Sequence, residues 1–282
     1  MDRSQKQIDR ENAENAAKKI DKFYVINLEK DVDRREAVEK TLDDAGVNNY
    51  QIFPATNGMA IQIKDLQSGM SFSGEDLKNG NLSIKKGLKY HITCDSKKDF
   101  VQFDFIGFIS SNKKTASSGE IGLWCSIKRI WQDAQNNQYD RIIVFEDDIV
   151  APNNFKTKLD LFTSHLPKTT DAAYLDYRLK TKGEINKINE YVHSFTPKTA
   201  GYATWAMLFT AKGIAKLQAL PEYTLPLDKF YWCYSNGNLS YKGVDEAICK
   251  PYINYLEFYA SNDRLVSISG SKSTIEDMGR EL

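Results

Sequence analysis

Three consecutive carboxylates, Glu146, Asp147 and Asp148, close the apolar run Ile142 to Phe145. Acid at the carboxyl end of a strand lies where open α/β sheets bind ligands. In a β conformation Glu146 and Asp148 point to one face and Asp147 to the other. Two carboxylates about 7 Å apart along the strand then converge on one cation. Their repulsion, of order 2–3 kcal/mol near a protein surface, calls for a positive group nearby. A hard divalent ion such as Mn²⁺ or Mg²⁺ takes oxygen ligands, and one or two carboxylates with substrate phosphate oxygens complete its shell. The pattern suits a nucleoside diphosphate, with the charge growing on a departing diphosphate neutralised electrostatically. The plainer alternative is a solvated acidic turn that caps the helix after Pro152.

The elements that must position these groups follow from hydrophobic periodicity. Phe23 to Leu28 reads as a buried first strand. Asp31 to Arg35 opens a helix in which Ala37, Val38, Leu42 and Ala45 recur at helical spacing, with Gly46 as its stop. Tyr50 to Phe53 is a second strand, closed by the turn-forming cluster Pro54 to Gly58. Residues 59–115 scatter Gly, Ser, Asn and Lys among short alternating runs, such as Val101 to Phe105, and predict a β-rich, loop-rich insertion. Ser117 and Glu120 have capping-box spacing ahead of a helix from Ile121 to Ala134. Asn153 or Asn154 caps a helix through Leu159 and Phe162. Ala172 to Leu175 and Gly201 to Phe209 read as strands, the latter followed by a helix from Ala211 to Ala219. This alternation predicts an α/β sandwich around one main core, with a loose polar tail from Ser267.

Composition removes several classes. The 38 basic and 38 acidic residues cancel, so no field attracts nucleic acid or an anionic bilayer. Cys94, Cys125, Cys233 and Cys249 are far apart with no C-x-x-C pair, which predicts reduced thiols in a cytosolic protein. Only His91, His165 and His193 are present, too few for a histidine-built metal centre. The polar N-terminus offers no signal-peptide core, and no window approaches the roughly 20 apolar residues of a membrane span. The expectation is a cytoplasmic protein, at most peripheral at the inner face of a membrane.

Several segments together resemble glycosyltransferase family 25, the lipopolysaccharide-biosynthesis type with relatives that glycosylate collagen. Tyr24 to Leu28 with Asp33, Arg34 and Arg35 looks like the family's opening strand and arginine motif, and Phe53 to Gly58 like its F-x-A-x-x-G turn. Gly119 to Gly122 resembles its G-E-I-G helix start, and Ile143 to Asp148 its E-D-D strand. Gly201 with Tyr202, Lys212 to Leu217, and Pro226 with Asp228 follow in the family's order, so the likeness spans about residues 22–230.

The resemblance implies a GT-A-like, Rossmann-type α/β/α sandwich with a mostly parallel central sheet. One domain would cover residues 22–270, between a polar leader (1–21) and a polar tail (271–282). The implied activity is inverting transfer of a hexose, galactose or glucose, from a UDP-sugar to a glycan or lipid-linked saccharide acceptor in lipopolysaccharide or surface-polysaccharide assembly. Glu146 and Asp148, supported by Asp147, would hold Mn²⁺ or Mg²⁺ and the diphosphate. Asn27, Arg34, Arg35, Ala55, Gly58, Glu120 and Tyr202 become substrate-binding positions, the arginines because their planar fork donates in pairs.

Inverting transfer needs a general base, for which Asp228 is the candidate, with Asp245 and Glu246 in reserve. Each assignment has a structural alternative: a solvated helix start for Arg34 and Arg35, a turn for Asp228, the capping box for Glu120, core packing for Tyr202, Trp205 and Trp232. Where the family carries Ser-His, this chain has Ser126 and Ile127, and Leu123 replaces an expected Cys. The missing imidazole favours, as a second hypothesis, a non-catalytic module that binds a nucleotide-sugar or a protein. A metal-dependent phosphohydrolase is a third, lacking any further ligand cluster.

Overall fold

The computed structural model describes residues 19–94, 101–107, 116–179, 185–195, 201–202, 204–221, 231 and 255–270. Strand β1 (Lys22–Asn27) starts the sheet, and a helix (Val32–Asp44) returns the chain to β2 (Tyr50–Pro54), parallel to β1. The helix stops as its sequence predicts: Gly46 adopts φ +75°, a left-handed turn open to glycine at no steric cost.

Residues 59–94 and 101–107 then leave the main sheet. They form β3 (Gln62–Asp65), β4 (Ser71–Ser73), β5 (Lys89–Cys94) and β6 (Val101–Ile106), an antiparallel sheet in the order β4-β3-β5-β6. A β-rich insertion is therefore present. The long helix Ser118–Asn136 follows and leads into β7 (Arg141–Glu146), which pairs parallel with β1. A two-residue strand, β8 (Ile149–Val150), and the helix Phe155–His165 come next. Strands β9 (Ala172–Tyr174), β10 (Arg178–Leu179), β11 (Ile185–Lys187), β12 (Val192–Phe195), β13 (Gly201–Tyr202) and β14 (Ala206–Thr210) complete the middle of the chain. The helix Ala211–Ala219, β15 (Phe258–Ser261) and β16 (Ser267–Ile268) are the last elements among the described residues.

The eight-stranded central sheet runs β11-β12-β15-β9-β14-β7-β1-β2. It is mixed, not mostly parallel. β1–β2, β1–β7 and β9–β15 are parallel, while β7–β14, β14–β9, β15–β12 and β12–β11 are antiparallel. Direction was invisible in the sequence because Ala206 to Phe209 is buried on both faces. Such a strand reads as the same apolar run in either orientation. The run predicted from Gly201 to Phe209 also divides, its first two residues pairing with β10 and its last four joining the main sheet.

Alternate residues of β7 enter separate cores. Ile142 and Val144 pack with Trp124, Ile130 and Trp131 of the long helix, together with Ile214 and Leu217. Ile143 and Phe145 pack with Val38, Leu42, Phe155, Leu159 and Phe162 of the opposite helices. Truncating a buried aromatic such as Phe145 to Ala costs about 3–5 kcal/mol, so both layers fix this strand firmly.

Two further expectations change. Cys94 of β5 and Cys125 of the long helix form a disulfide, with Cα atoms 5.7 Å apart, so these two thiols are not reduced. Packing of the insertion on the helix creates the pair, which no local spacing reveals; Cys233 and Cys249 lie outside the described residues. Ser267 and Ile268 are not loose, because they pair with Val150 and Ile149. No described helix is long and apolar enough to cross a membrane.

Candidate active site

The parallel register sets Ile26 beside Glu146 and Asn27 beside Pro54, so the carboxyl ends of β7, β1 and β2 form one lip. Glu146 is the last residue of β7. Its N–H donates to the Trp205 carbonyl (2.8 Å), and its Oε1 accepts from Thr204 Oγ1 (2.8 Å). Burial, and secondly the charge of Asp148, push its carboxyl up to about 7, while the Thr204 hydroxyl opposes the shift.

Asp147 and Asp148 belong to the turn after the strand, so β alternation does not aim them. Asp147 is 8% exposed. Arg34 Nη2 lies 2.5 Å from its Oδ1, and Asn27 Nδ2 donates to its Oδ2 at 2.7 Å. Asn27 Nδ2 also donates to the Asp31 carbonyl (3.1 Å), tying the strand end to the helix start. The same Arg34 Nη2 stands 3.6 Å from Asp148 Oδ2. The positive partner demanded by the repulsion is thus Arg34. Burial raises both aspartates, and Arg34 offsets part of that.

Asp148 Oδ1 is buried and accepts no hydrogen bond among the described residues. Such an atom needs a cation or a donor. No group of three or more His, Cys, Asp or Glu side chains suited to a metal occurs among the described residues. The donor set still fits a divalent ion that keeps water and substrate ligands, with Glu146 and Asp148 as the pair that would hold it. Asp147 has both oxygens engaged and serves as the seat of Arg34.

The Phe53 to Gly58 turn is clamped to the long helix. Its Ala55 N–H donates to the Asn27 carbonyl (2.9 Å). Thr56 N–H donates to Ser126 Oγ (2.8 Å), which donates to the Gly122 carbonyl (2.9 Å). Arg129 Nη1 donates to the Pro54 carbonyl (2.8 Å) and to Thr56 Oγ1 (3.3 Å). Gly58 and Gly122 are required by contact: a Cβ on Gly122 would meet Gly58 N and Thr56 O at 2.8 Å, and one on Gly58 would meet Ser118 O at 2.0 Å. Glu120 Oε2 accepts from Ser117 N–H (2.8 Å) and Ser117 Oγ from Glu120 N–H (3.2 Å), the predicted capping box. Ile127, at the place of the family histidine, is buried in the core.

The structure therefore gathers Asn27, Arg34, Glu146, Asp147 and Asp148, with Ala55 hydrogen-bonded to the same strand end. Arg35 is half-buried and makes none of these side-chain contacts, since neighbours on a helix diverge by about 100°. The Tyr202 backbone in β13 pairs with Arg178, the first residue of β10. Asp228, Trp232, Asp245 and Glu246 lie outside the described residues. Sequence reasoning missed Thr204, which no motif marks. It also missed Asp176, whose carboxylate accepts from Trp205 Nε1 (3.2 Å) and faces Arg264 Nε (3.5 Å).

The carboxylates, the amide and the guanidinium lie at adjacent strand ends, the place where open α/β sheets generally bind ligands. The chain belongs to glycosyltransferase family 25 (LPS biosynthesis protein), whose profile it matches over residues 20–202. It is 22% identical over 258 residues to procollagen galactosyltransferase 2 of Mus musculus, covering 86% of this chain and 33% of that protein. It is 25% identical over 219 residues to a probable inactive glycosyltransferase 25 family member 3 of Bos taurus, covering 75% and 31%. A glycosyltransferase 25 family member of Drosophila melanogaster is 24% identical over 226 residues, covering 75% and 30%. The chain spans about a third of the length of these relatives.

Proposed function

We propose that this chain is a metal-dependent hexosyltransferase with a GT-A-like fold. It moves galactose or glucose from a UDP-sugar to a glycan or lipid-linked acceptor in lipopolysaccharide or surface-polysaccharide assembly. The observation that carries it is the lip itself: Glu146 near enough to Asp148 for that charge to raise its carboxyl, Asp148 Oδ1 buried without a hydrogen bond among the described residues, and Arg34 beside Asp148. The family's galactosyltransferase relatives support the same chemistry.

In an inverting transfer the acceptor oxygen forms a bond to the anomeric carbon as the bond from that carbon to the diphosphate oxygen breaks. The acceptor proton goes to a base, assigned to Asp228, and the electron pair leaves with UDP. A divalent ion, when bound, supplies Lewis-acid neutralisation of the leaving diphosphate. Glu146 and Asp148 would hold that ion in place and Arg34 would donate N–H groups to phosphate oxygens, while the clamped turn ties the Asn27 end of the lip to the long helix.

A non-catalytic binding module is the second reading, favoured by the relatives named inactive. The deciding experiment is UDP titration with and without Mn²⁺, followed by sugar release from UDP-galactose and UDP-glucose. Metal-linked UDP binding with turnover supports the transferase. Binding without turnover selects the module, and no UDP binding removes both.

A further inference from the structure

We propose that Arg34 is a resident counter-ion, seated on Asp147, and that a divalent cation enters together with its nucleoside diphosphate by exchange. Asp148 passes from Arg34 to the cation while Asp147 keeps the guanidinium at the lip to grip the diphosphate. This rests on the nucleotide-sugar reading above.

The two aspartates are held unequally. Asp147 is fixed at both oxygens, by Arg34 Nη2 at 2.5 Å and Asn27 Nδ2 at 2.7 Å. Asp148 has the looser 3.6 Å approach of the same Nη2 and its own backbone N–H, and its Oδ1 is buried without a hydrogen bond among the described residues. Asp148 therefore gains more from a new cation than Asp147, which already has a partner on each oxygen. A guanidinium carries five N–H donors, so one that rests on a carboxylate still has a fork to turn toward phosphate. Lodged between the aspartates, it opposes a divalent ion arriving alone. A diphosphate removes that opposition by giving Arg34 another anion. Cation and nucleotide each then bind poorly alone and tightly together, with reciprocal coupling.

The test titrates MnCl₂ alone into wild type and Arg34→Gln, read by the electron paramagnetic resonance of free Mn²⁺, and then UDP with and without Mn²⁺. Arg34→Gln is expected to bind Mn²⁺ alone about tenfold more tightly and to lose about tenfold or more in UDP affinity, within the ordinary range of coupling. Arg34→Lys keeps a point charge but not the fork, so it should hold Mn²⁺ like wild type and bind UDP more weakly. Unchanged or weaker Mn²⁺ binding in Arg34→Gln overturns the exchange even if UDP binds. Should Arg34→Gln fail to fold, wild type decides: Mn²⁺ affinity that does not rise about tenfold under saturating UDP overturns it. Absence of UDP binding in every condition overturns the nucleotide-sugar reading instead, and is seen separately from the Mn²⁺ titration.

Discussion

Asn27 Nδ2 donates to Asp147 Oδ2 at 2.7 Å, joining residues 120 apart in the chain at the ends of two parallel strands. The amide and the carboxylate meet because β1 and β7 are neighbours in register. The bond aligns Asp147 so that its other oxygen meets Arg34. Asn27→Ala leaves a buried carboxylate oxygen without a donor, at a cost of about 1–3 kcal/mol. The expected result in urea unfolding is a lower midpoint with an unchanged slope, and weaker UDP binding in Mn²⁺; a wild-type midpoint would show the bond to be idle.

Glu146 gives a pH dependence with a defined sign. Its carboxyl is raised from 4.5 to about 7, so the folded protein holds this proton more strongly than the unfolded chain. The group's stabilising contribution is complete below about pH 4.5 and is lost as pH rises to about 7. Without a cation, ionised Glu146 should weaken the fold at pH 8 by about 2 kcal/mol, discounted for the water that reaches it. Glu146→Gln should therefore raise the Tm at pH 8 in EDTA and change little at pH 5. Equal shifts at both pH values would contradict the assignment.

Asp148→Ala should abolish metal-linked UDP binding and leave the circular dichroism spectrum intact. The variant removes the lip carboxylate whose Oδ1 is buried without a hydrogen bond among the described residues. Calorimetric titration of UDP in Mn²⁺ provides the check, and wild-type affinity would exclude Asp148 from the site.

Gly122→Ala tests the clamp between the turn and the helix. Alanine normally favours a helix by about 1 kcal/mol over glycine. Here its Cβ would press on backbone atoms of Thr56 and Gly58 at 2.8 Å, which cannot rotate away. A net loss of about 1–3 kcal/mol is expected, together with poorer UDP binding as the turn shifts. A stabilised variant would mean the turn yields.

The Cys94–Cys125 bond joins residues 31 apart in the chain. Chain entropy assigns such a closure about 3–4 kcal/mol. Cys94→Ala/Cys125→Ala should unfold at correspondingly lower urea. Non-reducing peptide mapping of wild type should find the two cysteines linked; free thiols at both positions would restore the reduced state expected from composition. A linked pair argues for maturation in an oxidising compartment, against the cytoplasmic placement expected from the sequence.

Local features were legible in the chain and long-range ones were not. The strand Lys22–Asn27, the stop at Gly46, the capping box at Ser117 and the turn at Phe53 rest on spacing within a few residues, and all are present. The acidic cluster was found because its members are adjacent in sequence. Its geometry was not, since β alternation ends at Glu146 and the next two residues turn. That Arg34 and not Arg35 meets the carboxylates depends on how the helix docks. Thr204 comes to Glu146 only through the antiparallel placement of β14, which a uniformly apolar strand cannot announce.

The pairing of β1 with β7 also sets an order of events during synthesis. A ribosome adding about 5–20 residues per second needs roughly 6–24 s to make the 120 residues that separate Asn27 from Asp147. Through that interval one edge of β1 waits without its neighbour, and the arginine waits without its acid. The nascent chain is most vulnerable to wrong association at that open edge, so overproduction that outpaces chaperones should trap this protein as insoluble material before the lip ever forms.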